Sequence, residues 1–116
     1  MRAFSIEERR NRLARKHFLS TTDQPSITRV IAALVGLHAT DPATPYLSLS
    51  ARPPAFITAD LDLALYQTRS AVRHLAMRRT LWLVTADDLA MIQSAASNRV
   101  ADNELADLPR MYTSPV

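Results

Sequence analysis

The chain has 116 residues and 47% hydrophobic residues, which fit one folded domain and argue against a disordered protein. It contains no cysteine, which excludes disulfides and thiolate metal sites, and its three scattered histidines argue against a metal site. No cofactor is expected. The net charge is +3. The basic N-terminus lacks the apolar segment of a signal peptide. No apolar run approaches the roughly 20 residues that a membrane span needs. We therefore expect a cytoplasmic protein with no membrane partner.

The first part of the chain is predicted to form two helices. Ser5 and Glu8 form a capping box, so a first helix is expected from there to about Phe18. Ser26 is expected to cap a second helix whose apolar residues recur at helical spacing as far as Leu37. The first helix carries one apolar stripe, with arginines on its other faces, and the stripe consists of Ile6, Leu13, Ala14, His17 and Phe18.

A polar corner follows the second helix. His38, Thr40 and Asp41 come together there, just after Gly36, the only glycine of the chain. His38 continues the apolar face of the second helix, and Asp41 is predicted to cap a third helix with Pro42 as its first residue. The third helix is expected to end at Pro53-Pro54. Thr58 is expected to cap a fourth helix that stops near Arg69.

The pattern then changes from helical spacing to alternation. Residues 71–84 predict a β-hairpin that turns at Arg78-Arg79, and the residues from Thr85 to Asp88 cap a fifth helix. From residue 101 to 116 no amphipathic face is recognisable, so we expect a domain over residues 1–100 and an irregular or poorly packed tail over 101–116. The order of elements predicts a mainly α fold with a small β-hairpin, a winged-helix-like domain in which helix-turn-helix is followed by a wing.

Arginine supplies thirteen of the fourteen cations, and its planar fork suits phosphates and base edges. The arginines are concentrated in residues 1–20 and 69–79, which favours double-stranded DNA as a partner. A solvated arginine-rich surface explains the same charge equally well. The candidate DNA-binding residues are Arg9, Arg12 and Arg15 on the first helix and Arg73, Arg78 and Arg79 on the wing.

Three other side chains are given packing roles. Trp82 and His74 alternate within the hairpin and are interpreted as partly buried core residues, although a tryptophan is also able to stack on a base. Tyr46, beside the polar corner, is interpreted as an anchor of the third helix.

Five blocks of sequence carry a family resemblance: Arg12–Arg15, Val35–Ser48, Asp62–Tyr66, Ser70–Arg73 and Ala76–Val84. In this order they resemble the AlkZ/YcaQ-like winged-helix proteins, a bacterial family that includes DNA glycosylases. Members are several times longer and stack winged-helix units around a basic DNA-binding channel. The resemblance therefore implies that this chain corresponds to the N-terminal unit, and we expect a truncation, a frameshift or a shortened paralogue.

The glycosylase branch of that family has a Gln-x-Gln or Gln-x-Asp pair that positions the attacking water, where this chain has His38-Ala39-Thr40. The resemblance thus implies His38 and Thr40 as the candidate catalytic residues, although both glutamines are absent. A histidine that interacts with the end of a helix is the simpler interpretation of His38. The family's Arg-Gly-Thr turn also differs, because Arg79 replaces the glycine at a cost of about 1 kcal/mol.

Three functions are consistent with these features. The expected function is double-stranded DNA binding through phosphate contacts, which would depend strongly on salt and weakly on base sequence. One alternative is a DNA glycosylase that removes alkylated bases with His38 positioning water, so whether the chain is an enzyme stays open. The other is a truncated remnant without activity, which would form a homo-oligomer if exposed apolar surface remains.

Overall fold

The computed structural model of the chain describes residues 2–20, 24–52 and 56–113. Helix α1 spans Ile6–Lys16, and the Glu8 N–H donates to Ser5 Oγ at 3.0 Å. Helix α2 spans Ile27–Ala33, and Ser26 Oγ accepts the Arg29 N–H at 3.2 Å. Both helices begin where the sequence predicts, because each capping hydroxyl satisfies a backbone N–H of the first turn.

Helix α2 ends earlier than predicted, and the chain turns into a strand. Val35 and Gly36 have φ values of 66° and 156°, so neither residue is able to continue a right-handed helix. Leu37–His38 then form strand β1. The prediction that His38 extends the face of the second helix, and interacts with the end of that helix, is therefore wrong.

The predicted hairpin is present as strand β2, Ala71–Leu75, and strand β3, Leu81–Thr85, joined by a 3₁₀ turn at Met77–Arg79. Strand β1 adds to the hairpin, so the antiparallel sheet has the order β1-β3-β2. The register pairs Trp82 with His38 on one side and with His74 on the other. Two residues are too few to show alternation in a sequence, so β1 was not predicted.

Helix α3 spans Thr44–Ser50 and begins later than predicted, with Ala43 as its N-cap and Pro45 in its first turn. The expectation that Asp41 caps this helix with Pro42 as its first residue is wrong. The predicted end at Pro53-Pro54 lies outside the described residues. Helix α4, Thr58–Asp62, has Ile57 as its N-cap, so the expectation that Thr58 caps it is wrong by one residue. The helix continues into a π-helical turn over Leu63–Gln67.

The C-terminal segment is helical. Helix α5, Leu89–Ile92, leads through a π-helical turn at Gln93–Ser97 into helix α6, Asn98–Thr113. The expectation of an irregular backbone is therefore wrong for residues 101–113, since a helix already started by packed residues extends without a new nucleation cost. Residues 101–110 are nevertheless mostly exposed, and the division at residue 100 stays a prediction.

The sheet separates two apolar clusters. One joins Ile31, Leu49 and Leu61 of the preceding helices to Leu83, and the other joins Val84 to Ile92. The molecule is thus mainly helical with a small antiparallel sheet, an arrangement compatible with the predicted winged-helix-like fold.

The apolar stripe of α1 remains largely uncovered. Ile6 and Leu13 are 70% and 53% exposed, and only Phe18, after the helix, is buried. The radius of gyration is 17.9 Å, against roughly 13 Å for a compact domain of this length. Most of the predicted apolar stripe of α1 therefore lies outside the core.

Candidate nucleic-acid interface

The two candidate catalytic residues lie at the end of β1. His38 is exposed, and its Nε2 lies 3.5 Å from Thr40 Oγ1. The imidazole also meets the Trp82 ring edge to face, with the ring centroids 5.4 Å apart. The structure thus brings His38 and Thr40 together beside an aromatic ring, and their catalytic role stays a prediction.

Backbone pairing with β3 holds this corner in place. The Ala39 N–H donates to Leu81 O at 2.8 Å, and the Leu81 N–H donates to Thr40 Oγ1 at 3.2 Å. Asp41 accepts the Ala43 N–H at 2.7 Å, which closes a turn ahead of α3. The Thr40 hydroxyl therefore has a fixed position, and its O–H can donate toward His38 or a bound molecule.

Arg73 connects β2 to the same corner. Its guanidinium donates to Ala39 O at 2.7 Å, although the side chain is largely exposed. A guanidinium has five N–H donors, so this bond fixes the group and leaves other donors for a ligand. Arg73 thus has a structural role that the sequence did not reveal, next to its predicted role in DNA binding.

Arg78 and Arg79 occupy the tip of the hairpin, as predicted. Both are exposed and have left-handed backbones, with φ values of 57° and 60°. Arg79 forms an ion pair with Glu104 of α6. The positive φ of Arg79 agrees with the strain expected where the family pattern has glycine.

The arginines of α1 are exposed and make local contacts. Arg12 lies 3.0 Å from the Glu8 carboxylate and over the Phe4 ring, 4.4 Å from its centroid. Arg15 Nε donates to Asn11 O at 3.4 Å, and Arg9 is exposed. Among the described elements, α1 packs extensively against none, so the structure does not join these arginines to those of the hairpin.

Tyr46 and Trp82 have the packing roles expected of them. The Tyr46 hydroxyl donates to Asp62 Oδ1 at 2.6 Å, which ties α3 to α4. This hydrogen bond, followed by burial, raises the pKa of Tyr46 to about 12. Trp82 is half-buried, and its Nε1–H donates to Thr80 Oγ1 at 3.0 Å.

Sequence reasoning missed two arginines. Arg52 donates from Nε to His17 O at 2.9 Å and from its NH1 group to Ser48 O. These two bonds connect α3 to the end of α1. Burial lowers the pKa of Arg52. Arg69 follows the π-helical turn with a φ of 53° and lies beside Tyr66. Neither residue belongs to an apolar pattern, so no periodicity signalled it.

The family whose description is "DNA glycosylase AlkZ-like" matches residues 31–111 of the chain. The chain belongs to the AlkZ-like DNA glycosylase family. The match includes the corner with His38 and Thr40 and the arginines of the hairpin, whereas α1 with its four arginines precedes the matched range. Membership in the AlkZ-like family connects the chain with DNA repair, and the resemblance predicted from sequence is confirmed.

The comparisons with curated proteins and with solved structures give no match. Within the described residues, no helix combines the length and the apolar character needed to cross a bilayer.

Proposed function

We propose that this chain acts in the cytoplasm as a winged-helix unit that binds double-stranded DNA through arginine–phosphate contacts. The observation that carries the proposal is the tip of the hairpin, where Arg78 and Arg79 are exposed on left-handed backbones. Such a backbone costs about 1–2 kcal/mol at each non-glycine residue. Backbone strain that persists at an exposed charged tip supports a functional role for that tip.

The chemistry of these groups favours the phosphate backbone. Arg9, Arg12 and Arg15 add three exposed guanidinium groups on α1. Guanidinium groups bind phosphate oxygens through paired N–H donors and carry no sequence preference when they contact only phosphates. Binding would release counterions, so affinity would fall steeply as salt rises, with about four to six contacts contributing to the slope.

Fluorescence anisotropy of the purified chain on a labelled duplex, repeated over a salt series, tests this proposal. Arg78→Gln removes one charge from the hairpin tip, and the salt slope should fall by about 1. Arg99→Gln removes an exposed charge from α6 and serves as the matched control, with an unchanged slope. Absence of duplex binding at low salt would refute the proposal.

A second candidate is hydrolysis of the glycosidic bond of an alkylated base, supported by the 3.5 Å contact between His38 Nε2 and Thr40 Oγ1. In this reaction a water oxygen bonds to the sugar's anomeric carbon as the bond to the base breaks. The base leaves with the bonding electrons, and His38 takes the proton of the water. His38→Ala should abolish release of the alkylated base and leave duplex affinity unchanged. Equal base release by both proteins would refute a catalytic role for His38.

The uncovered stripe of α1 supports a third candidate, a homo-oligomer without catalytic activity. Ile6 and Leu13 lie two turns apart on the helix and are both more than half exposed. Light scattering over a dilution series should show association that Leu13→Ser weakens. A monomer at all concentrations would exclude this candidate.

A further inference from the structure

A basic cleft with an aromatic wall lies between the π-helical turn and β2. Its charged and aromatic walls are Tyr66, Arg69 and Arg73, and Leu65, Ala71 and Val72 complete it. Its volume of about 430 Å³ falls within the range of roughly 300–1,000 Å³ typical of small-ligand sites. We refer to it below as the Tyr66 cleft.

The Tyr66 ring is available to a ligand. Its side chain is 68% exposed, which is unusual for a large aromatic residue that only packs. The ring is carried by a helical segment, Leu63–Gln67, whose Ala64 is buried in the core. The segment thus presents an aromatic face to solvent from a fixed backbone.

Two guanidinium groups stand on the same cleft. Arg73 is held by its bond to Ala39 O at 2.7 Å, and Arg69 is exposed and forms no ion pair with any residue that the structure describes. Arg69 adopts a left-handed backbone, with φ 53°, at the end of the helical segment. None of the residues that line the cleft is acidic.

The carboxylate of Asp62 belongs to the surroundings and is already engaged. It accepts the Tyr46 hydroxyl at 2.6 Å. Asp62 is not among the residues that line the cleft. The charged side chains that line the cleft are therefore those of Arg69 and Arg73.

An exposed aromatic ring that shares a cleft with two arginines matches one ligand chemistry, a flat base joined to phosphates. Bases stack on aromatic rings irrespective of their identity, and guanidinium groups bind phosphate oxygens. We propose that the Tyr66 cleft binds an unpaired nucleotide of a DNA strand, with the base stacked on Tyr66 and the flanking phosphates held by Arg69 and Arg73. This rests on the proposed function and specifies which DNA the chain prefers.

The Tyr66 cleft also adjoins the corner that carries His38 and Thr40. Arg73 lines the cleft and bonds to the carbonyl of Ala39, the residue between those two. A strand whose unpaired nucleotide occupies the cleft would therefore run past the corner.

The experiment compares three labelled probes by anisotropy at one salt concentration. They are a fully paired duplex, the same duplex with one unpaired thymidine, and a thymidine single strand. The unmodified chain should bind the second and third probes more tightly than the paired duplex. Tyr66→Leu removes the ring, and it should weaken binding of these two probes by about 5-fold to 150-fold, the contribution of one stacked base.

Matched variants separate stacking from general damage. Tyr66→Phe keeps the ring and should keep the preference, with affinity within about two-fold of the unmodified chain. Arg69→Gln should lower the affinity for the probes with unpaired nucleotides. Arg99→Gln, which also removes an exposed arginine, should leave this affinity unchanged. Circular dichroism of each variant confirms that the fold is retained.

The possible results distinguish this inference from the proposed function. If the paired duplex and the duplex with the unpaired thymidine bind with equal affinity, and Tyr66→Leu changes neither affinity, nucleotide binding in the Tyr66 cleft is refuted while duplex binding is retained. If the chain binds only the single strand, and Tyr66→Leu loses this binding, nucleotide binding in the Tyr66 cleft is supported and the proposed duplex binding is refuted. No binding to any probe would overturn both.

Discussion

Replacing Gly36 by alanine should destabilise the fold strongly, because both the backbone and the surroundings of this residue exclude a side chain. Gly36 has a φ of 156°, which L-residues rarely adopt, and this conformation costs alanine about 1–3 kcal/mol. An added Cβ would lie 3.1 Å from Leu83 O and 3.2 Å from Val84 Cγ1. Both atoms belong to β3, the central strand of the sheet, which has little freedom to move.

The overcrowding adds about 1–3 kcal/mol, so Gly36→Ala should lower the free energy of unfolding by about 2–6 kcal/mol in total. Most domains have only about 5–15 kcal/mol of stability, so the variant should be mostly unfolded at moderate urea concentrations. Urea unfolding followed by the fluorescence of Trp82, the only tryptophan, measures this effect. Trp82 pairs with His38 of β1 and therefore reports on the strand that follows Gly36.

The neighbouring residue provides a control. Val35 has a φ of 66° and is 52% exposed, so Val35→Asn relieves strain and loses little packing. Its free energy of unfolding should equal or exceed that of the unmodified chain. If Gly36→Ala stays within about 0.5 kcal/mol of the unmodified chain, the turn relaxes and the reasoning from φ and contact distances is refuted.

Three further changes test other parts of the molecule. Tyr46→Phe should lower the free energy of unfolding by about 1 kcal/mol, measured by urea unfolding. Because the pKa of Tyr46 is about 12 in the folded chain against 10.0 ordinarily, the stabilisation by its hydrogen bond is present below pH 10 and disappears toward pH 12. A tyrosinate absorbance titration follows this ionisation. Arg78→Gly should raise the free energy of unfolding by about 1 kcal/mol and weaken duplex binding. A variant that is more stable and binds the duplex as tightly as the unmodified chain, or more tightly, would contradict the functional role of the strained tip. Ser97→Ala removes a buried 2.7 Å hydrogen bond to Leu75 O and should cost about 1 kcal/mol, measured by thermal unfolding.

The sequence by itself determined the elements that depend on near neighbours. Ser5 and Ser26 mark the starts of α1 and α2, because a capping hydroxyl acts on an N–H three residues away. Alternation from Ala71 onward predicted the hairpin and the position of its turn at Arg78 and Arg79. The family resemblance was also readable from the order of local motifs.

The tertiary structure alone decided how these elements meet. Strand β1 exists because β3 offers its free edge to Leu37 and His38, a pairing between residues more than forty positions apart. The same long-range contact turns His38 away from the helical face that local spacing predicted. The apolar stripe of α1 is the opposite case. Its helical spacing favours burial, but the stripe is buried only where another element packs on it, and most of it is exposed.

The candidate sites follow the same division. The sequence predicted Arg73 as a cation of the hairpin, whereas its bond to Ala39 O depends on where β1 ends in space. The Tyr66 cleft needs a helical segment and β2 side by side, so the sequence did not indicate that Tyr66 and Arg69 share a site. Local hydrogen bonding and spacing thus specify the elements, and the contacts between distant residues, which no local pattern encodes, specify the surfaces that a ligand meets.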